Sequence, residues 1–565
     1  MIKKIRDKLL AAYRWLVNRL PETLFVLFLV FLAPLPYLLG SAAVDFIRRF
    51  RREPGVVWDS LKAHPWPALA WPLCVLGAGG LWALFWPSRR YIWAVARKMI
   101  MEAVHRRVVM VLLVFFVVLM PSLPFILKHE GNLKSQVQIV FSYALTLAEV
   151  LLCVVAVTVC TASICSEVER KHVHLTDTKP LARWQFLVGK LVGVVVMCSV
   201  LLFLMALSVY GLVLYMARTR DFSALRPWER EDKNKQARQV FEEVLVSRRS
   251  LMPPMPDVTK VVEEEMAKLR AEGQITAQNE LSERERLTFT FQQWTMTVKP
   301  LQTIGWKLEG LSADRNAPVY IRFLPRQVNL NIPLGIKGEW QVYWPAGGQT
   351  AGPEPMPRSR YPGTWAPKVF QEIRLPDNVV HPSGTIYLAY YNMQNNTSVI
   401  FRQGSDVEIL QRYEGFPPNY YRSLLVIMCH IVLLAALALM AGAALSFPVA
   451  SFVVVAIFIV GLIAPWMASV TAAEATQAPD EEMVATQGPV QAWGKWAFNG
   501  FLRVLVTACP HFGKYSPVGD LVNGRLVNWS LVGQAVAVLC FLQGTGTMLL
   551  GVYLYHRREL ARVIL

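Results

Sequence analysis

The stretch that decides the fold is residues 137–163, VQIVFSYALTLAEVLLCVVAVTVCTAS. Glu149 is its one acidic residue, and it contains no Lys, Arg or His. A helix of roughly 20 predominantly apolar residues crosses a hydrocarbon core about 30 Å thick. The stretch therefore predicts a helix that spans a membrane.

Apolar stretches of similar length lie on both sides of this one. Hydrophobic residues make up 54% of the 565 residues and charged residues 17%, against roughly 25% charged in an average soluble protein. This composition indicates a polytopic membrane protein and argues against a disordered chain or a purely soluble enzyme. About eight spanning helices are predicted, at 23–47, 66–86, 108–127, 137–163, 187–216, 423–446, 449–470 and 529–555.

The segment between the fifth and sixth spans has a different composition. Residues 218–422 carry 27 basic and 23 acidic side chains, so most of the net charge of +18 lies in the spans and their flanks. Basic residues at the ends of spans mark the cytoplasmic side of a membrane. We therefore interpret the basicity as juxtamembrane and expect no nucleic-acid partner.

The basic clusters set a topology in a cytoplasmic (inner) membrane. They lie at the N-terminus, at 89–107, at 166–190 and at the C-terminus, and all four are predicted to be cytoplasmic. Eight spans then place residues 217–422 outside the cytoplasm. A fifth cluster, Arg48 to Arg52, falls on the outer side, so the topology of residues 1–88 stays open between a re-entrant hairpin and a local exception. A cleaved signal peptide over residues 1–43 is a further alternative.

The segment 217–422 predicts an inserted α+β module. Residues 226–290 have the composition of helices, and from residue 299 the pattern changes to the period of two that is typical of strands. The expected strands are 299–311, 319–324, 328–332, 339–344, 369–375, 385–391, 398–402 and 407–412. Eight short alternating strands favour a β-sandwich of jelly-roll type. Its aromatic residues either form the core or line a sugar- or lipid-binding face (Trp306, Trp340, Trp344, Tyr387, Tyr390 and Tyr391).

No motif for catalysis or cofactor binding is present in the sequence. A P-loop needs the pattern G-x-x-x-x-G-K-[ST] to cradle a phosphate, and the nearest match, from Gly488 to Trp496, has the wrong spacing and lacks the hydroxyl. The eight cysteines show no spacing typical of zinc sites. The chain is therefore not expected to be an enzyme or to bind a cofactor or a metal.

The most informative polar segment is residues 166–190, SEVERKHVHLTDTKPLARWQFLVGK. It resembles the corresponding loop of ATP-binding-cassette (ABC) type 2 exporter permeases. The matching positions are Glu169, Leu175, Thr178, Lys179, Pro180, Arg183, Phe186, Gly189, Lys190 and Gly193. Residues 95–107 are similar to the family's interfacial helix, and residues 511–560 to its final segment. The resemblance covers roughly 91–216 and 423–565.

This resemblance implies a permease subunit with a six-helix core, of exporter type and with an unidentified substrate. A separate cytoplasmic ATPase subunit would bind ATP and magnesium, and a second permease copy or a paralogue would complete the assembly. The loop that couples to the ATPase would include Glu167, Glu169, Arg170, Lys171, Lys179, Pro180, Arg183 and Lys190. An interfacial helix would rest on lipid head groups through Arg97, Lys98, Arg106 and Arg107.

These interpretations divide the chain into four parts. Residues 1–88 are an N-terminal extension with about two spans, and 89–216 form the first half of the core. Residues 217–422 are the extracytoplasmic insert, and 423–565 form the second half, with an outer loop at 471–528. The extension and the insert have no counterpart in the simplest family members.

One acidic residue is predicted to lie in the membrane. A carboxylate near the middle of a span costs at least about 2.5–3.5 kcal/mol on insertion scales. Glu149 is therefore a candidate for a substrate path, a proton site or a gate, or it satisfies a neighbouring helix through His430 or Gln534. A different function for the whole chain also stays open: a membrane-anchored enzyme or a surface-binding protein that acts through the β-module.

Overall fold

The computed structural model divides into two compact units. The helical unit is Met1–Leu245, Phe416–Asn523 and Val527–Leu565, and the β unit is Val246–Gly415 with Gly524–Leu526. The residues that the structure describes are 22–37, 88–105, 108–127, 133–169, 182–218, 235–253, 258–271, 280–295, 297–312, 317–327, 335–345, 356–376, 379–402, 406–474, 498, 500, 510 and 512–562.

The helices are numbered in chain order through both units. They are α1 (Glu22–Tyr37), α2 (Arg89–His105), α3 (Val108–Ile126), α4 (Leu133–Glu169), α5 (Arg183–Arg218), α6 (Thr259–Ala271), α7 (Glu280–Thr295), α8 (Phe416–Ala444), α9 (Phe447–Glu474), α10 (Val518–Val522), α11 (Trp529–Ala535) and α12 (Thr545–Arg562). A π-helical segment, Val536–Gly544, joins α11 to α12.

Among the described residues, five helical segments are long and apolar enough to cross a membrane. They are Leu133–Glu167, Arg183–Arg218, Phe416–Ala444, Phe447–Ala464 and Trp529–Arg557. The expectation of apolar, membrane-capable helices is thus confirmed. The number eight stays a prediction, because the expected span at 66–86, part of that at 23–47 and nearly all of the short apolar run at 496–508 lie outside the described residues.

The helical unit packs around α8. This helix is buried along most of its length, whereas α9 and α12 expose large apolar side chains such as Phe452 and Leu549. Lipid tails are as apolar as leucine, so exposed side chains of this kind suit contact with lipid. The 37 residues of α4 span about 55 Å, which exceeds a hydrocarbon core of about 30 Å. We therefore expect α4 to extend beyond the hydrocarbon at one or both ends.

The β unit contains two antiparallel four-stranded sheets and a smaller three-stranded one. The strands are β1 (Val246–Leu251), β2 (Thr297–Val298), β3 (Thr303–Leu308), β4 (Val319–Phe323), β5 (Arg326–Gln327), β6 (Ile336–Tyr343), β7 (Ser359–Trp365), β8 (Gln371–Arg374), β9 (Ile386–Asn392), β10 (Val399–Ile400) and β11 (Val407–Gly415). The sheet orders are β1-β11-β4-β8, β3-β9-β6-β7 and β2-β10-β5.

Two strands of the four-stranded sheets, β1 and β7, were not expected from the sequence. The prediction of helix throughout 226–290 is wrong at Val246–Leu251, which pairs with β11 over its whole length; pairing with a strand far along the chain overrides the local composition there. Strand β7 contains Pro362 and Gly363, which weaken a strand signal. It forms the edge of its sheet, where proline is tolerated. The expected strand at 328–332 lies outside the described residues.

Aromatic side chains from both large sheets form the core of the β unit. Trp340 is fully buried, with ring centroids 4.9 Å from Phe323 and 5.0 Å from Tyr390. Trp306 and Phe401 also pack against it. Trp306, Trp340 and Tyr390, which the sequence left open between a core and a binding face, thus belong to the core. A separate small cluster pairs α6 with α7.

Charged side chains are also buried in the β unit. Glu408 of β11 lies 3.0 Å from the Arg322 guanidinium and 2.6 Å from that of Arg525, and accepts a hydrogen bond from Ser250. Burial lowers the pKa of Arg322, and the nearby Glu408 carboxylate opposes part of this shift. Arg525 belongs to the short segment Gly524–Leu526.

This short segment extends the first sheet beyond β1. The Arg248 amide donates to the Gly524 carbonyl and the Leu526 amide to the Arg248 carbonyl, both at 2.8 Å. The Arg248 side chain is buried and reaches Glu372 at 3.4 Å. We call Arg248, Arg322, Glu372, Glu408 and Arg525 the β-unit cluster.

Candidate functional site at the junction of α2, α4 and α5

Helix α2 has an apolar and a polar face. Its buried residues recur every three or four positions, as in an amphipathic helix: Ile92, Ala96, Met99, Ile100 and Ala103. Arg97 and Lys98 are exposed on the other face. The predicted residues Arg106 and Arg107 lie outside the described part of the chain.

Two glycines bring α5 into close contact with α2. A Cβ atom at Gly189 would lie 2.7 Å from the Val95 Cβ, and one at Gly193 would lie 2.8 Å from the Ala96 carbonyl oxygen. Real Cβ atoms essentially never approach other atoms so closely. Small residues at a helix contact let two backbones approach each other. Helix α2 and the first turns of α5 therefore pack as one body.

Lys190 follows Gly189 and points towards α4. Its side chain is 3% exposed, and its Nζ lies 2.8 Å from Glu167 Oε2. The same nitrogen donates to the Ser163 carbonyl at 3.1 Å and to the Ser163 hydroxyl at 2.7 Å. An ammonium group has three N–H donors, so each has an acceptor. A buried cation with this complete set of partners links α5 to α4.

Helix α2 contributes to the same cluster. Lys98 Nζ lies 3.0 Å from the other carboxylate oxygen of Glu167, so one carboxylate bridges two ammonium groups. The Ser163 hydroxyl donates to Glu102 Oε2 at 3.3 Å. We call Lys98, Glu102, Ser163, Glu167 and Lys190 the junction cluster. Its two cations balance two carboxylates.

The start of α5 makes further contacts. Arg183 Nη1 lies 2.6 Å from His556 Nδ1 of α12, and Phe186 stacks on Tyr555 with ring centroids 6.0 Å apart. Gln185 donates to the Ser88 hydroxyl, just before α2, at 2.8 Å. The first turn of α5 therefore contacts the final helix as well as the residue that precedes α2.

The structure describes only part of the predicted coupling loop. Glu169 is exposed at the end of α4, and Arg183 is half-buried at the start of α5. Glu167 and Lys190 pair with each other, and Lys190 is buried. Arg170, Lys171, Lys179 and Pro180 lie outside the described residues.

Sequence reasoning missed two members of the junction cluster, Glu102 and Ser163. A signal for them exists in the spacing. Lys98 and Glu102 are four residues apart on α2, and Ser163 and Glu167 are four apart on α4. Residues at this spacing lie on the same face of a helix. The pattern shows which face is polar, but not that the two faces meet.

A second polar contact lies within the spanning helices. Glu149 Oε1 of α4 is 2.7 Å from His430 Nδ1 of α8, and both side chains are buried. Of the two partners that the sequence left open, His430 is thus the one in contact. The His430 ring packs against Phe512, with ring centroids 5.4 Å apart. Within the described residues no group of three or more potential metal ligands occurs.

Comparison with known proteins supports an interpretation of this region as a transport domain. Residues 93–225, which include most of α2 and all of α3, α4 and α5, match the family model described as ABC-2 family transporter protein. The resemblance to ABC type 2 permeases is thereby confirmed, and it supports a permease subunit of an ABC transporter. No curated protein matches the chain, and no solved structure does.

Proposed function

We propose that the chain is the membrane-spanning subunit of an ABC exporter, driven by ATP that a separate cytoplasmic ATPase subunit hydrolyses. The observation that carries the proposal is that the family match over 93–225 contains the junction where α2, α4 and α5 are joined by buried charges. Residues 170–181 connect α4 to α5 at this junction. A force applied to that segment would reach three helices at once.

In this proposal the segment 170–181 docks on the ATPase. Glu169 and Arg183 lie at the two ends of the segment, and Glu169 is exposed. Their charges suit contact with a polar groove, together with Arg170 and Lys179. Arg183 also contacts His556 of α12, so motion at the loop would reach the last helix. Rigid-body movement between two states is an established way of switching such assemblies.

The same proposal places the chain in the inner membrane with both termini in the cytoplasm. The exposed side chains of Arg97 and Lys98 on α2 support contact with anionic lipid head groups. The β unit then lies outside the cytoplasm. Its strand orders support a jelly roll: without β2, β5 and β10, the eight remaining strands form two four-stranded sheets in the orders 1-8-3-6 and 2-7-4-5.

The Glu149–His430 pair is proposed to act at the interface of α4 and α8 during transport, in an assembly completed by a second permease copy or a paralogue. Both helices are largely buried in the unit. We expect Glu149→Gln to slow ATP-driven turnover of the purified complex without loss of assembly. The control is Thr158→Ala, because the Thr158 hydroxyl bonds to backbone carbonyls of its own helix. Normal turnover of Glu149→Gln would leave the pair a structural role only.

The central experiment is affinity purification of the tagged chain from its native membranes. A P-loop ATPase subunit should co-purify, and the complex should hydrolyse ATP. The variant Glu169→Ala with Arg183→Ala should lose ATPase stimulation while it remains folded. The matched control is Arg218→Ala, an exposed arginine at the other end of α5.

Two outcomes would contradict the proposal. If no ATPase co-purifies with the wild-type chain, the permease assignment fails. If the double variant assembles and turns over as the wild type does, the coupling-loop assignment fails. Topology is tested by cysteine accessibility in intact cells. An impermeant maleimide should label Lys337→Cys, an exposed position on β6, but not Glu169→Cys. Equal labelling of both sites would place the loop and the β unit in one compartment.

A further inference from the structure

The buried cation of the junction cluster, Lys190, has no direct route to a partner. Lys190 lies in the loop motif that resembles exporter permeases, yet its side chain is 3% exposed and its three donors have acceptors within the helical unit. A surface contact with an ATPase needs an accessible group. The position of Lys190 therefore calls for a different role from that of Glu169.

The contacts around Lys190 show which bodies it joins. Helices α2 and α5 pack closely through Gly189 and Gly193. Lys190 and Gly189 are neighbours on α5, and Lys190 binds Ser163 and Glu167 on α4. The ion pair between Lys190 and Glu167 also joins α5 to α4 close to the two ends of segment 170–181, which connects the two helices in sequence. Without it, the polar contacts of this end of α4 to α2 would be those of Ser163 to Glu102 and of Glu167 to the exposed Lys98.

We propose that Lys190 is a positioning residue for ATPase coupling: it locks α4 to the α2–α5 body, so that displacement of segment 170–181 moves the three helices together. The inference rests on the proposed function and goes further, because it assigns the transmission step to a side chain that does not contact the ATPase. Loss of the lock should leave docking intact and should uncouple docking from movement.

The first test needs no ATPase. Spin labels are placed at Ala94 on α2 and Glu169 on α4, both exposed, in the full-length chain in lipid nanodiscs. The distance distribution between the labels should be narrow in the otherwise wild-type chain and broader with Lys190→Met. Lys98→Met, which removes the exposed half of the bridge, is the matched control and should broaden it less. An unchanged distribution with Lys190→Met would overturn the proposal.

The second test uses the complex with its ATPase. Lys190→Met should retain the ATPase during purification but reduce its stimulation by about tenfold, a fold-change typical of coupling between two sites. Lys190→Arg, which keeps the charge, should restore part of it. The double variant Glu167→Gln with Lys190→Met should be little worse than Lys190→Met alone, because both changes remove the Glu167–Lys190 pair and the additional Lys98–Glu167 pair is exposed at Lys98.

The outcomes separate the two proposals. If the Lys190→Met variant retains the ATPase and stimulates it as strongly as the wild type does, the proposed role of Lys190 is overturned. The proposed function of the chain is unaffected by that result. Absence of an ATPase from the wild-type preparation would overturn the proposed function and with it the coupling role. If Lys190→Met does not yield a monodisperse protein, Lys190→Arg decides. Partial stimulation together with a broadened label distance, in a normally folded chain, would support positioning. Wild-type stimulation despite a broadened label distance would overturn it.

Discussion

Each unit of the molecule contains a cluster of buried charges, and the two clusters are built differently. The junction cluster runs from Lys190, at 3% exposure of its side chain, through Glu167 at 12% to Lys98 at 63%. The β-unit cluster has no exposed end of this kind: Glu408 is 1% exposed and Arg525, its most exposed member, 22%. One cluster is open towards solvent, and the other is closed.

The difference shows what each cluster can do. Buried ion pairs add little net stability compared with apolar packing, and in some proteins they fix the positions of the groups that they join. The closed cluster ties strands β1, β4, β8 and β11 to the short segment 524–526, so it defines a rigid sheet. The open cluster joins three helices next to segment 170–181. Its outermost contact, between Lys98 and Glu167, can break at low cost because Lys98 is exposed. We expect the closed cluster to be structural and the open one to serve movement.

The largest effect is expected from Glu408→Ala. The change leaves the Arg322 and Arg525 guanidinium groups without their shared carboxylate, and loss of one partner from a buried pair costs about 3–5 kcal/mol. Hydrogen exchange of the β11 amides in the full-length chain measures this loss. Glu309→Ala is the matched control, because Glu309 is exposed and pairs with Lys307, two residues away on the chain. Equal protection in both variants would show that the β-unit cluster does not stabilise the sheet.

The parts of the fold that could be predicted from the sequence have a local signal. Apolar length defines the helix that contains residues 137–163, and alternation defines β4, β9 and β11. Strand β1 could not be predicted, because its pairing with β11 depends on residues far along the chain. The charges of the β-unit cluster look like those of any solvated strand face until the four strands of the first sheet and segment 524–526 come together.

The junction cluster could be predicted only in part, because only some of its residues have a local signal in the sequence. The resemblance placed Glu167 and Lys190 in the loop that was predicted to couple to the ATPase. Their mutual contact depends on how α4 and α5 pack, which no local pattern specifies. The close approach of α2 to α5 at Gly193 likewise requires the partner backbone, so the sequence shows the glycine but not the contact.

An intermediate effect is expected from Gly193→Ala. The new Cβ would meet the Ala96 backbone of α2, and overpacking of this kind costs typically about 1–3 kcal/mol. Gly211→Ala on the same helix is the control, because a Cβ there meets nothing within 4 Å. Thermal unfolding in detergent, followed by fluorescence-detected gel filtration, compares the two. A similar midpoint for both variants would argue against the α2–α5 body on which the open cluster is anchored.

The smallest effect is expected from Lys98→Met, and it distinguishes an open cluster from a closed one. Because the Lys98 side chain is 63% exposed, solvent and salt screen its attraction to Glu167, and exposed pairs contribute about 0–1 kcal/mol. Glu167 keeps Lys190 as a partner, so no buried charge is left alone. The unfolding midpoint of Lys98→Met should therefore lie close to that of the wild type, and the remaining difference should shrink as salt rises from low to high ionic strength. A loss as large as that of Glu408→Ala, insensitive to salt, would mean that the junction is as closed as the β-unit cluster and is too rigid to yield at its outer contact.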